Sequence, residues 1–121
     1  MADSNTWFVI INPTSGNGSS KKTWPEIKQL LLSYKFKFEF KFTKHENHSI
    51  EIIQNTVNKG FRKFICVGGD GTLHNIVNGI ISQKVVPSNQ IQVGVIPIGT
   101  GNDWVKTHGI TNNFEDAIKI I

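Results

Sequence analysis

Phe64-Ile65-Cys66-Val67 passes directly into Gly68-Gly69-Asp70-Gly71-Thr72, and an apolar stripe at Leu73, Ile76, Val77, Ile80 and Ile81 follows without a gap. A strand, a glycine turn and a helix start in immediate succession make an anion cradle. Glycines allow a sharp turn and close backbone approach to a ligand, and the first amides of a helix have no internal partner. Phosphate is the natural occupant of such a turn. Asp70 inside the cradle would repel a bare phosphate, so its presence points to a bridging Mg²⁺ or to a proton-accepting role.

The flanking sequence repeats this alternation. Thr6 to Asn12 is predicted to be a buried strand, because Trp7-Phe8-Val9-Ile10-Ile11 is continuously apolar and rich in aromatic and β-branched residues. A loop through Pro13 to Ser20 leads to a predicted helix from about Thr23 to Tyr34. Ile27, Leu30, Leu31 and Tyr34 share one face of it, and Thr23 and Glu26 are spaced as a capping box. Phe36, Phe38, Phe40 and Phe42 then alternate with Lys37, Glu39 and Lys41, the period of a strand with one buried and one wet face near a sheet edge. Alternation of this kind favours a core role for the four phenylalanines over a patch that dips into a membrane.

A second helix is expected over Ser49 to Lys59, with Ile53 and Val57 inward and Gly60 as its left-handed stop. After the glycine-turn unit and a loop through Val85 to Asn89, Ile91 to Pro97 reads as a fourth strand. The fold class is therefore α/β: an open, mostly parallel sheet with helices on both faces, joined by right-handed crossovers. Ligands of such sheets bind beyond the carboxyl ends of the strands. Phe114, Ala117, Ile118 and Ile121 keep helical spacing behind Asn112 or Asn113 as cap, and the stripe runs to the last residue without a stop signal. That suggests a chain ending inside, or at the edge of, a larger protein.

With 121 residues the chain has room for one domain, taken here as a nucleotide-binding domain over 1–121. No segment approaches the ~20 apolar residues that span a bilayer, and the start of the chain lacks the features of a signal sequence. Cytoplasmic residence is expected, with peripheral attachment to a membrane as the variant. The lone Cys66 lies in an apolar strand and reads as an inert core thiol. A formal charge of +4 suits nucleotides or anionic lipid surfaces, whereas the scattered lysines form no stripe for nucleic acid.

Three glycine-containing loops follow three different strands: Asn12 to Gly16, Gly68 to Thr72, and Gly99 to Asp103. A parallel sheet would bring all three to one edge, which is stronger evidence than any one turn. None matches the Gly-Lys-Ser/Thr phosphate loop or the Gly-x-Gly-x-x-Gly dinucleotide turn, so these loops supply no phosphate-binding lysine. Candidate nucleotide contacts are Asn12, Ser15, Gly16, Gly68, Gly69, Gly71, Thr72, Gly99, Thr100 and Asn102, with Asp70 and Asp103 available for a metal or a proton. Turn stabilisation competes as a role for Asn12 and Asn102, and helix capping for Asp103.

Asn12-Pro13-x-Ser15-Gly16, Gly68-Gly69-Asp70-Gly71-Thr72 with Leu73-His74 and Val77-Asn78-Gly79, and Pro97-x-Gly99-Thr100-x-Asn102-Asp103 together resemble the catalytic domain of diacylglycerol kinases and related lipid kinases. The resemblance runs from Phe8 to about Asp103. Gly-Gly-Asp-Gly-Thr alone is also similar to turns of NAD kinases and phosphofructokinases; the Asn-Pro-x-Ser-Gly loop favours the lipid-kinase branch. The resemblance implies ATP- and Mg²⁺-dependent transfer of the γ-phosphoryl group to a lipid hydroxyl, with Asp70 as metal ligand and Asp70 and Asp103 as catalytic groups. It further implies a second domain, absent from this chain, that closes over the acceptor, and hence an inactive isolated fragment. A sugar-phosphate or NAD kinase and a regulatory nucleotide-binding module are the alternatives. Asn75 stands where the family often has an acidic residue.

Overall fold

The computed structural model describes residues 5–13, 19–45 and 47–97. In chain order the elements are β1 (Trp7–Ile11), α1 (Ser19–Ser33), β2 (Phe38–Phe42), α2 (His48–Asn58), β3 (Lys63–Gly68), α3 (Asp70–Ser82), a 3₁₀ turn (Ser88–Gln90) and β4 (Gln92–Pro97). All strand pairs are parallel, in the order β2-β1-β3-β4. The α/β class, the parallel sheet and the edge position of the phenylalanine strand agree with the sequence reading. Among the described residues no helix is long and apolar enough to cross a membrane.

The continuous apolar runs are explained by layers on both sides of the sheet, since a covered parallel strand has no wet face. Val9, Ile11, Ile65, Val67 and Ile96 pack on one side with Trp24, Ile27 and Leu31 of α1. Phe8, Ile10, Phe64 and Cys66 pack on the other with Ile52, Ile53 and Val57 of α2 and Ile76 and Ile80 of α3. Cys66 is fully buried. α2 gives way at Lys59 to Gly60, whose φ of 106° is the left-handed stop expected there.

Several expectations need correction. α1 starts at Ser19, about one turn before Thr23, so Thr23 and Glu26 lie inside the helix and do not cap it. Pro25 is also inside it, where its ring deletes a backbone hydrogen bond. Burial of Trp24, Ile27 and Leu31 carries the helix through that defect. The stripes are narrower than their periodicity suggested, because Tyr34, Val77 and Ile81 are exposed. The phenylalanines form a fringe to the core: Phe36, Phe38 and Phe42 are partly buried against it, and Phe40 keeps 40% exposure. The reason is β2's edge position, where α1 covers the strand from one side only and Trp24 meets Phe38, Phe40 and Phe42 at centroid distances of 6.3, 4.9 and 6.5 Å.

Candidate functional site

The chain leaves β1 toward β2 on one side of the sheet, and β3 lies on the other side of β1 with β4 beyond it. The order therefore reverses between β1 and β3, and the crevice beyond their carboxyl ends is where a ligand of such a sheet is expected. Ile11 is in register with Val67, and Asn12 N–H donates to the Val67 carbonyl at 3.2 Å, which fixes the start of the first loop against the end of β3. The Asn12 side chain reaches across. Its Nδ2 donates to Thr72 Oγ1 at 3.1 Å, tying the loop after β1 to the first turn of α3.

α3 begins at Asp70, with extended Gly69 as its N-cap and Gly69 C=O accepting from Leu73 N–H at 3.2 Å. The amides of Asp70, Gly71 and Thr72 precede that first bonded turn, so the helix offers its donors at this edge. The glycines serve close approach here. Gly68, Gly69 and Gly71 all have negative φ, so the turn needs no left-handed backbone. What the missing side chain supplies is room: among the described residues beyond its own turn, nothing lies within 4 Å of a Cβ on Gly71.

The cleft above this turn has a volume of about 650 Å³ and is lined by four of the candidates, Asn12, Gly69, Gly71 and Thr72, and by Pro13. That size suits a nucleotide-scale ligand. Thr43, Lys44, His45, Ser49, His74 and Asn75 complete the wall, and the motif reading had not named them as site residues. Thr43 to His45 directly follow β2, so the rule that strand carboxyl ends converge was the available signal; no glycine marked them. Lys44 brings to the rim the lysine that the glycine turns lack. Asn75 puts a neutral amide into the wall.

The fate of the remaining candidates is mixed. Gly68 ends β3, paired with Pro97 of β4, so the fourth strand also ends at this edge. Asp70 takes the first helical position. Ser15, Gly16, Gly99, Thr100, Asn102 and Asp103 lie outside the described residues. The start of the first loop and the glycine turn are thus brought together, and the rest of the first loop and the third fall on undescribed chain.

His48 shapes the β2 side of the cleft. Its Nδ1 accepts from Lys44 N–H at 2.9 Å, and its ring stacks on His45 at 4.7 Å. His45, His48 and Glu51 have ligand atoms within 4.8 Å of one another. With Nδ1 accepting, however, the neutral His48 ring carries its proton on Nε2, leaving no lone pair there for a metal. Burial first, and then the charges of His45, Lys41 and Lys44, hold the His48 pKa below its ordinary value despite the opposing pull of Glu51. A depressed folded-state pKa means that the unfolded chain takes up this proton first, so stability is full above about pH 6.5 and falls as the pH drops toward the folded value. Thermal melts between about pH 7.5 and 5 are expected to show that loss. In His48→Asn, whose amide oxygen still accepts from Lys44 but does not titrate, the loss should shrink; an unchanged pH dependence would exclude His48 as its source.

Residues 6–121 match the diacylglycerol kinase catalytic domain family. The chain is 36% identical over 109 residues to sphingoid long chain base kinase 5 of Saccharomyces cerevisiae, covering 88% of this chain and 16% of that protein. A diacylglycerol kinase of Staphylococcus haemolyticus is 30% identical over 113 residues, 93% of this chain and 33% of that one. A crystal structure of a diacylglycerol kinase from Bacillus anthracis superposes with a TM-score of 0.74 at 26% identity, covering 99% of this chain and 42% of the other. The chain thus spans well under half the length of these relatives.

Proposed function

The chain belongs to the diacylglycerol kinase catalytic domain family, and we propose that it forms the nucleotide-binding part of an ATP- and Mg²⁺-dependent kinase acting on a lipid hydroxyl. The observation that carries this reading is the Asn12–Thr72 hydrogen bond, which locks two loops around an open glycine turn at the strand-order reversal. Phosphoryl transfer asks a protein chiefly to position groups and neutralise charge. The amides of Gly69 and Gly71 and the amide and hydroxyl of Thr72 suit the β- and γ-phosphates, while Asn12 orients Thr72 and borders the nucleotide. We propose Ser15, Gly16, Gly99, Thr100 and Asn102 for the remaining nucleotide contacts, as the motif resemblance implies.

Mg²⁺ fits a site of this donor set, because it needs few protein carboxylates when phosphate oxygens supply other ligands. Asp70 would hold it, and the bound ion would neutralise charge on the transferring phosphoryl group. Asp103, by the motif resemblance, is proposed as the second catalytic acidic group. A helix N-terminus contributes only ~0.3–2 kcal/mol to a bound anion against the ~8 kcal/mol or more that catalysis requires. The bound metal is proposed to supply much of the rest together with a second domain, and the chain by itself is proposed to bind nucleotide without appreciable turnover. The two named relatives differ in acceptor, a sphingoid base and a diacylglycerol, and the acceptor here is proposed only as a lipid alcohol.

Gly71→Leu tests the cradle directly. Gly71 is exposed, and among the described residues nothing beyond its own turn lies within 4 Å of a Cβ there, so stability is expected to stay within ~1 kcal/mol. MgATP affinity, followed by isothermal titration, is expected to fall at least ~10-fold, a loss of about 1.4 kcal/mol. Unaltered MgATP binding by a folded Gly71→Leu chain would remove the glycine turn from the nucleotide site.

A further inference from the structure

β2 ends the sheet on one side: β1 is its neighbour, and among the described residues no strand pairs with its outer edge. The bonds it makes inward fix which groups face outward. Lys37 C=O accepts from Trp7 N–H at 2.9 Å, and Thr43 N–H donates to Ile11 C=O at 2.8 Å. Along a strand the N–H and C=O of one residue point to one side and those of the next residue to the other. Lys37, Glu39, Lys41 and Thr43 therefore serve β1, and Phe38, Phe40 and Phe42 turn their backbone donors and acceptors to the open edge. Such an edge is a template for another strand.

The segment Phe38-Glu39-Phe40-Lys41-Phe42 is its own complement when laid antiparallel. We propose that this edge is a homodimer interface, in which β2 pairs antiparallel with β2 of a second copy about a two-fold axis at Phe40, joining two four-stranded sheets into one. In that register Phe40 faces Phe40 and Phe38 faces Phe42. These are the residues whose backbone points outward, so they become the hydrogen-bonded pairs. Glu39 then faces Lys41 of the second copy, and Lys41 faces Glu39. They occupy the pairs without hydrogen bonds, where side chains approach most closely.

Charge also rejects the neighbouring registers. A slip by two residues in one direction sets Glu39 against Glu39 and Lys37 against Lys41; in the other direction Lys41 meets Lys41. Like charges directly opposite each other disfavour both. On the α1 side, Phe40 is 40% and Leu32 51% exposed beside the axis, with Lys28 Nζ 5.1 Å from the Phe40 ring. Two-fold pairing would cover this apolar strip with its own copy, as an isologous contact does. Edge strands are commonly guarded by charge. Here the alternating signs deter foreign strands and accept an identical one.

Sedimentation velocity on the full chain between about 1 and 100 µM is expected to show a reversible monomer–dimer equilibrium. Glu39→Lys and Lys41→Glu, both at exposed positions, are each expected to raise the dissociation constant ~10-fold or more. Mixed together, the two variants should regain dimer, because one contributes two basic and the other two acidic side chains to the same pairs. A wild-type chain that stays monomeric throughout would overturn the proposal. So would a wild-type dimer that either single reversal leaves unchanged, or one that the mixture fails to restore.

Discussion

Asp70→Asn is expected to lower kcat by about 10²–10³-fold or more if the protein is the kinase proposed, the scale for removing one group that stabilises transition-state charge. The same substitution should barely touch folding. Asp70 is the first residue of α3, where a carboxylate gains roughly 0.3–1 kcal/mol from the helix dipole. That corresponds to a few degrees in melting temperature. The two effects differ enough in size to be separated in one protein. If Asp70 holds Mg²⁺, titrations of the chain with ATP should show the benefit of added Mg²⁺ in the wild type and its loss in Asp70→Asn, with metal-free ATP binding little changed. Lipid phosphorylation by Asp70→Asn within about threefold of wild type would assign the aspartate to helix stability alone.

The part of this site that the sequence revealed is the part built from backbone logic. Strand-turn-helix succession located Gly69, Gly71 and Thr72, and parallel topology required the ends of β1 and β3 to meet, as Asn12 and Thr72 do at 3.1 Å. Thr43 and Lys44 escaped notice because the turn after β2 contains no glycine and its loop depends on a tertiary clasp, the Lys44–His48 bond. The phenylalanine alternation identified an edge strand but not the exposure of Phe40, since periodicity states which residues share a face and not how far a helix extends over it. The cap expected at Thr23 failed for a related reason. Local propensity favoured a start near there, and burial of Trp24 and Ile27 against the sheet carried the helix back to Ser19.

Gly79→Leu is expected to destabilise the chain by ~3 kcal/mol or more, although propensity alone would favour almost any replacement of a glycine in mid-helix by about 1 kcal/mol. Packing decides the sign. A Cβ at Gly79 would lie 3.0 Å from Ile53 Cβ and 3.1 Å from Ile50 Cα, and the second of these is α2 backbone that cannot rotate aside. Even Gly79→Ala, with overpacking of ~1–3 kcal/mol against a propensity gain of ~1 kcal/mol, should come out less stable than wild type. Urea unfolding of the pair checks both values, and an alanine variant more stable than wild type would show that α2 and α3 separate freely. The consequence reaches the cleft. Both helices start at its rim, α2 from the loop that carries Thr43 and Lys44 and α3 from the glycine turn, so the tight contact at Gly79 helps set the spacing of the two walls. Gly79→Ala should accordingly weaken MgATP binding from a position outside the cleft lining, whereas the pH-insensitive replacement of His48, whose ring meets Lys44 and His45, should leave the α2–α3 spacing intact.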